Sequence, residues 1–148
     1  MNILIVPPRR EFLGIVAAFV QAFAQSVRLD RRNAYRVRAI TDEIAANVIE
    51  HGCRNNPYCD LLEIRAQSDG VVVRVTVLDG GRPFDMSQVP VPNSLTLAPQ
   101  LRDIGGLGIY LIQRLSDDFT YQRLNGKNIH TLTIVCATST TPDQKRAS

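Results

Sequence analysis

Glu43, Asn47 and His51 fall four residues apart in the segment AITDEIAANVIEHG, residues 39–52. On a helix that spacing stacks them along one face. Glu43 can accept a proton, and Asn47 offers a neutral side-chain oxygen to a hard cation such as Mg²⁺. One helix face then holds a base beside a metal ligand, with His51 either joining them or serving as a packing or capping residue. Two further stretches have a composition suited to chemistry. In Asp79-Gly80-Gly81-Arg82-Pro83-Phe84 an aspartate ends a β-branched run. Its carboxylate can face a donor such as an exocyclic amine, and the glycines let a flat ligand approach the backbone. Taken alone, the same residues read more readily as a plain turn, because Asp-Gly is common in turns. Gly105-Gly106-Leu107-Gly108 opens a helix, where free N–H groups and the positive end of the dipole attract phosphate. It is not a Walker A loop, because no Lys-Ser/Thr follows; a loop rather than a strand precedes it, so the Rossmann turn fails too.

These groups must be positioned by a chain of 148 residues, enough for one domain with a real core. Residues 2–6 are a short apolar strand closed by Pro7-Pro8. From Arg10 to about Ser26, Phe12, Val16, Phe19, Val20 and Phe23 recur at helical spacing. Asp30 is the expected N-cap of the next helix, which runs to about Glu50 and stops at Gly52. Ile40, Ile44 and Val48 give that helix an apolar stripe to seat on a sheet. Residues 61–66 and 71–78 alternate as two strands around Ser68-Asp69-Gly70, and the second suits the middle of a sheet. A long proline-bearing stretch, 79–105, reads as a functional or mobile loop. Residues 106–117 are helical, with Ile109, Ile112 and Leu115 on one face. Residues 119–124 and 129–136 form a hairpin around Asn125-Gly126. The expected fold class is α+β: a two-layer α/β sandwich with helices on one face of a mixed, mostly antiparallel sheet. A single domain covers 1–137, and 138–148 is a polar tail.

Composition narrows the function classes. A hydrophobic fraction of 45% suits a globular protein. Residues 1–8 lack the charged n-region and cleavage site of a signal peptide, and the apolar run at 12–27 is too short to span a bilayer. No membrane association is expected. Cys53, Cys59 and Cys136 have no CxxC or zinc-like spacing. An odd count without a secretory signal points to reduced thiols in the cytoplasm, none of them catalytic. Net charge is +3, and Arg28, Arg31, Arg32, Arg36 and Arg38 gather at one helix start. Without interleaved aromatics they read as a solvated face or a docking surface for an acidic protein, rather than a nucleic-acid patch.

The combination is more specific than its parts. DEIAANVIEHG, VLDGGRPFD and GGLGIYLIQRLSD, in this order with a long loop before the last, resemble the N-box, G1 box and G2 box of the GHKL ATP-binding superfamily. Within it, the chain resembles the anti-sigma-factor serine/threonine kinases of bacterial partner switching. The resemblance implies the Bergerat-type ATP-binding fold, with ATP and Mg²⁺ as cofactors. It implies that Glu43 is the catalytic base for a protein serine or threonine hydroxyl, and that Asn47 holds Mg²⁺. Asp79 would accept from the adenine amine, Gly81 would make room for the ring, and His51, Pro83 and Phe84 would lie in the same ATP site. Gly105, Gly106, Leu107 and Gly108 would meet the phosphates, and Thr131 would reach the adenine region through water. Related kinases often carry an arginine just before the glycine cluster; that position is Ile104, and Arg102 is the alternative γ-phosphate contact. The implied partners are an anti-anti-sigma (STAS-domain) protein as substrate, a sigma factor, and a second copy in a homodimer. The alternative is an ATP-binding regulatory module that captures a partner and transfers nothing.

Overall fold

Alternating apolar runs build five strands: β1 (Asn2–Val6), β2 (Leu62–Ser68), β3 (Val72–Asp79), β4 (Asp118–Leu124) and β5 (Lys127–Val135). The computed structural model describes residues 1–88 and 106–136. The expected loop segment 89–105, with Arg102, Ile104 and Gly105, and the tail from 137 lie outside the described residues. The strands form one sheet in the order β1-β2-β3-β5-β4, antiparallel at every pairing. The valine-dense β3 occupies the centre, where both its edges are paired and its branched side chains pack on neighbours. The period of two sends Leu62, Ile64, Val73, Val75, Val77, Leu132 and Ile134 into the core. Arg65 and Arg74 stand exposed on the other face. The hairpin between β4 and β5 turns through Asn125 and Gly126 at φ 51° and 75°, the backbone that the Asn-Gly pair favours.

The helices α1 (Leu13–Ser26), α2 (Arg31–Asn47) and α3 (Gly106–Leu115) form the second layer. Each contributes a stripe at spacings of three and four: Val16, Val20 and Phe23; Val37, Ile40 and Ile44; Ile109 and Ile112. Burying side chains of this size stabilises by about 1.5–3 kcal/mol apiece. Asp30 caps α2 as expected, its Oδ1 accepting the Asn33 N–H at 2.7 Å. Such a cap is worth about 1 kcal/mol. Among the clustered arginines, Arg36 points inward. It donates to the Leu115 carbonyl at the end of α3 (2.8 Å) and pairs with Asp117 (3.2 Å), so it ties α2 to α3.

Two features depart from expectation. The second helix does not stay α-helical to its end: it widens into a π turn at Val48–Gly52, closed by the Cys53 N–H on the Val48 carbonyl at 2.9 Å. The reduced state expected of all three cysteines is also corrected. Cys53 and Cys59 form a disulfide with Cα atoms 5.2 Å apart, and only Cys136 is free. Consecutive turns after the π segment fold residues 53–59 back on themselves, which a spacing of six in the sequence does not announce. No described helix is long and apolar enough to cross a membrane.

Candidate functional site

The α2 helix and its π extension carry the two halves of the candidate site. In the first half, Glu43 is partly exposed and Asn47 is buried, at 4% exposure. The start of α3 presses directly on both. A Cβ added at Gly108 would collide with Glu43 Oε2, lie 3.0 Å from Glu43 Cδ and stand 3.7 Å from Asn47 Nδ2. Only glycine lets the first turn of α3, which Gly106 and Leu107 begin, come this close to the acid and the amide. Partial burial raises the Glu43 pKa above the ordinary carboxylate value, and the charges of Asp42 and Glu50 push the same way. Asn47 Nδ2 is buried with no hydrogen-bond partner among the described residues. A buried polar atom left in this condition costs free energy unless something else satisfies it.

The second half is built on Asp79, at 2% exposure. Its Oδ1 accepts from the Gly81 N–H (2.8 Å) and from Asn128 Nδ2 (3.0 Å). Its Oδ2 is buried and has no hydrogen-bond partner among the described residues; His130 Nε2 stands 3.7 Å away, too far for a hydrogen bond. This half therefore has a fixed carboxylate with one acceptor oxygen free. Gly81 touches the end of the π turn: an added Cβ would strike the Gly52 carbonyl, with its carbon at 2.6 Å and Asp79 Oδ1 at 2.8 Å. The Arg82 N–H donates to that same Gly52 carbonyl at 3.0 Å. Gly52 thus links the two halves, since it ends the segment that begins just after Asn47.

Sheet residues brace the Asp79 turn from the far side. Asn128 Nδ2 also donates to the Arg82 carbonyl (2.7 Å), while its Oδ1 accepts from Tyr121 Oη (2.6 Å) and Arg123 (2.9 Å). Arg123 donates in turn to the Gly81 carbonyl at 2.8 Å. His130 is fully buried between Phe119 and Tyr121, with ring centroids at 6.3 and 5.2 Å.

The structure therefore brings Glu43, Asn47 and Gly108 together, and joins them through the π turn to Asp79 and Gly81. His51 is not in the buried set: it is exposed and lies against Phe84, ring to ring at 5.7 Å. Pro83 is exposed beside it. The expectation for Thr131 is corrected. Strand alternation turns it away from the helices, onto the opposite sheet face, where its hydroxyl meets that of Thr76 at 3.3 Å. Its neighbours Asn128 and His130 are the residues of β5 that reach Asp79. Sequence reading passed over them, although two polar residues in register with the buried Leu132 and Ile134 were the available signal. Arg102 and Gly105 lie outside the described residues.

The donor set suits a nucleotide. A purine amine matches the free oxygen of Asp79, and the side-chain oxygen of Asn47 suits a hard cation. The N–H groups that have no partner within the helix where α3 begins suit phosphate. Residues 6–134 match the family described as the histidine kinase-like ATPase domain. Among solved structures, the chain is similar to the RsbU and RsbW domains of Rv1364c from Mycobacterium tuberculosis, at 16% identity and a TM-score of 0.61. That alignment covers 93% of this chain and 33% of the other, so this chain spans about a third of that one. It is similar also to the SiaB–SiaC complex from Pseudomonas aeruginosa, at 15% identity and a TM-score of 0.61, covering 90% of this chain and 89% of that one. At these identities the likeness is one of fold. No curated protein matches the sequence.

Proposed function

This chain belongs to the histidine kinase-like ATPase domain family, and from that premise we propose that it is an ATP-dependent protein serine/threonine kinase and anti-sigma factor. Its substrate is a STAS-domain anti-anti-sigma protein, and with ATP bound the chain, as a cytoplasmic homodimer, sequesters a sigma factor. The observation that supports this reading is that Gly108 packs against Glu43 and Asn47 on α2, while Gly81 joins Asp79 to Gly52 at the end of the same helix's π extension. Asp79 Oδ2 takes the adenine amine, and Gly81 leaves space for the ring. Backbone N–H groups at Gly106 and Gly108 hold phosphate oxygens. Asn47 holds Mg²⁺, which when bound neutralises phosphate charge. Glu43 removes the hydroxyl proton of the partner's serine or threonine, and its raised pKa makes it a stronger base than an exposed carboxylate.

Phosphoryl transfer asks a protein chiefly for positioning and charge neutralisation, so this short list of groups is sufficient. The likeness to a structure solved as a two-protein complex favours a protein over a small molecule as the acceptor. The test is incubation with γ-labelled ATP, Mg²⁺ and candidate STAS proteins, followed by phosphosite mapping. Label on a partner serine or threonine, lost in Glu43→Gln, is the expected result. Nucleotide binding with every partner unlabelled would replace the kinase by a non-catalytic ATP-binding regulator.

A further inference from the structure

The two ends of the disulfide loop each abut the Asp79 turn. Gly52, which precedes Cys53, crowds Gly81 and accepts the Arg82 N–H. Tyr58, which precedes Cys59, places its carbonyl 3.3 Å from where a Cβ on Gly80 would lie. One covalent link thus fixes the spacing of the two backbone segments that support consecutive glycines of the turn. The sulfurs are also close to the acid itself: both, with an oxygen of Asp79, lie within 4.8 Å of one another. A surface groove lined by Pro7, Asn55, Pro57 and both cysteines gives a small dithiol or peroxide access.

We propose that Cys53–Cys59 is a reversible thiol–disulfide switch that sets nucleotide affinity. The proposal rests on the reading of Asp79 as the acceptor of the nucleobase amine. A disulfide has no S–H to offer, and in the oxidised form Asp79 Oδ2 is without a partner among the described residues and is available to the ligand. Reduction takes two electrons and two protons from a dithiol. One of its thiolates attacks a cysteine sulfur, and the second resolves the mixed disulfide, releasing two cysteine thiols and the oxidised dithiol. Each new S–H is a hydrogen-bond donor beside the Asp79 carboxylate and competes with the ligand for it. Losing the link also loosens Gly52 and Tyr58 against the turn. The reverse reaction with a peroxide forms a sulfenic acid and water; attack by the second thiol then closes the disulfide and releases a second water. A competing hydrogen bond of ordinary strength corresponds to roughly fivefold to tenfold weaker binding in the reduced form.

The experiment uses the full chain, oxidised with peroxide or reduced with dithiothreitol, and titrated calorimetrically with Mg-ATP. Alkylation and mass spectrometry verify each state: Cys136 alone is labelled after oxidation, and all three cysteines after reduction. Hydrogen exchange at the Gly81 and Arg82 amides reads the turn without any nucleotide. The oxidised chain should bind about fivefold to tenfold more tightly, and its two amides should exchange more slowly. The Cys53→Ser/Cys59→Ser variant should be indifferent to dithiol. Equal affinity in the two verified states overturns the switch while leaving ATP binding intact. Binding in neither state removes the ATP reading. In that case the exchange data still decide whether the disulfide governs the turn, and unchanged rates at Gly81 and Arg82 would overturn it.

Discussion

Gly81→Ala tests the join between the two halves of the candidate site. The added methyl would lie 2.6 Å from the Gly52 carbonyl carbon, nearer still to its oxygen, and 2.8 Å from Asp79 Oδ1. The first two are backbone atoms at the end of the π turn and have no rotamer into which to escape. The turn must therefore withdraw, which breaks the 3.0 Å bond from the Arg82 N–H to Gly52 and loosens the 2.8 Å bond from the Gly81 N–H to Asp79. Losing one net hydrogen bond costs about 1 kcal/mol, and overpacking adds about 1–3 kcal/mol. The expected loss is about 2–4 kcal/mol, a fall in urea midpoint on the order of 1–2 M. Circular dichroism across a urea gradient reads this directly. Calorimetric titration of the folded variant should show ATP affinity down by about tenfold or more, a loss of one hydrogen bond's worth or greater. A midpoint and an affinity both equal to the parent's would refute the claim that Gly52 braces this turn.

Other outcomes follow from the same geometry. Gly108→Ala meets the mobile end of Glu43 rather than backbone, so the urea midpoint should move little, while phosphate transfer falls because the carboxylate is displaced. Asn47→Ala should weaken ATP binding by about tenfold with Mg²⁺ present and leave it unchanged in chelator, as expected when one polar ligand interaction is removed; equal loss in both conditions would refute the metal role. Glu43→Gln should retain nucleotide and lower transfer roughly 10²–10⁴-fold. With the parent chain, transfer should rise with pH through an ionisation above the ordinary carboxylate range, since the base is protonated below its raised pKa. The fold disfavours the ionised acid, so the same substitution should raise the urea midpoint slightly at neutral pH. Gly14→Ala meets nothing within 4 Å in the first turn of α1 and should gain about 0.5–1 kcal/mol, seen as a higher melting temperature.

Periodicity made most of the architecture legible. Val16, Val20 and Phe23 on α1, Ile40 and Ile44 on α2, and the dense β3 all pack as their spacing predicts, because a stripe of apolar residues has only one favourable place to go. Turn chemistry was equally direct at Asp30 and at Asn125-Gly126. The failures occur where long-range partners decide. Nothing in VIEHG distinguishes a π turn from one more α turn; the difference lies in the contacts that Gly52 makes with Gly81 and Arg82. The Cys53–Cys59 pairing depends on those same turns. Thr131 faces away from the helices because a one-residue shift along a strand reverses every side chain, and a family motif that suggested it reaches the adenine region does not fix register that finely. Asn128, Tyr121 and Arg123 were missed for a related reason: their importance lies in a network to Asp79 that joins residues up to 49 positions apart.

The π turn has one more consequence. The Glu43–Asn47 pair and the contact to the Asp79 turn both hang from a single rod, Arg31 through Gly52, whose last turn is one residue wider than the rest. Removing one residue from that turn would restore the ordinary pitch and rotate everything beyond it by about 100°. The Gly52 carbonyl would then swing away from Arg82 while Glu43 and Asn47 stayed in place. The irregular turn is thus the gauge that sets how far apart the two grips stand, and a mutation that regularised it would leave each grip intact but mismatched to any ligand that must reach both.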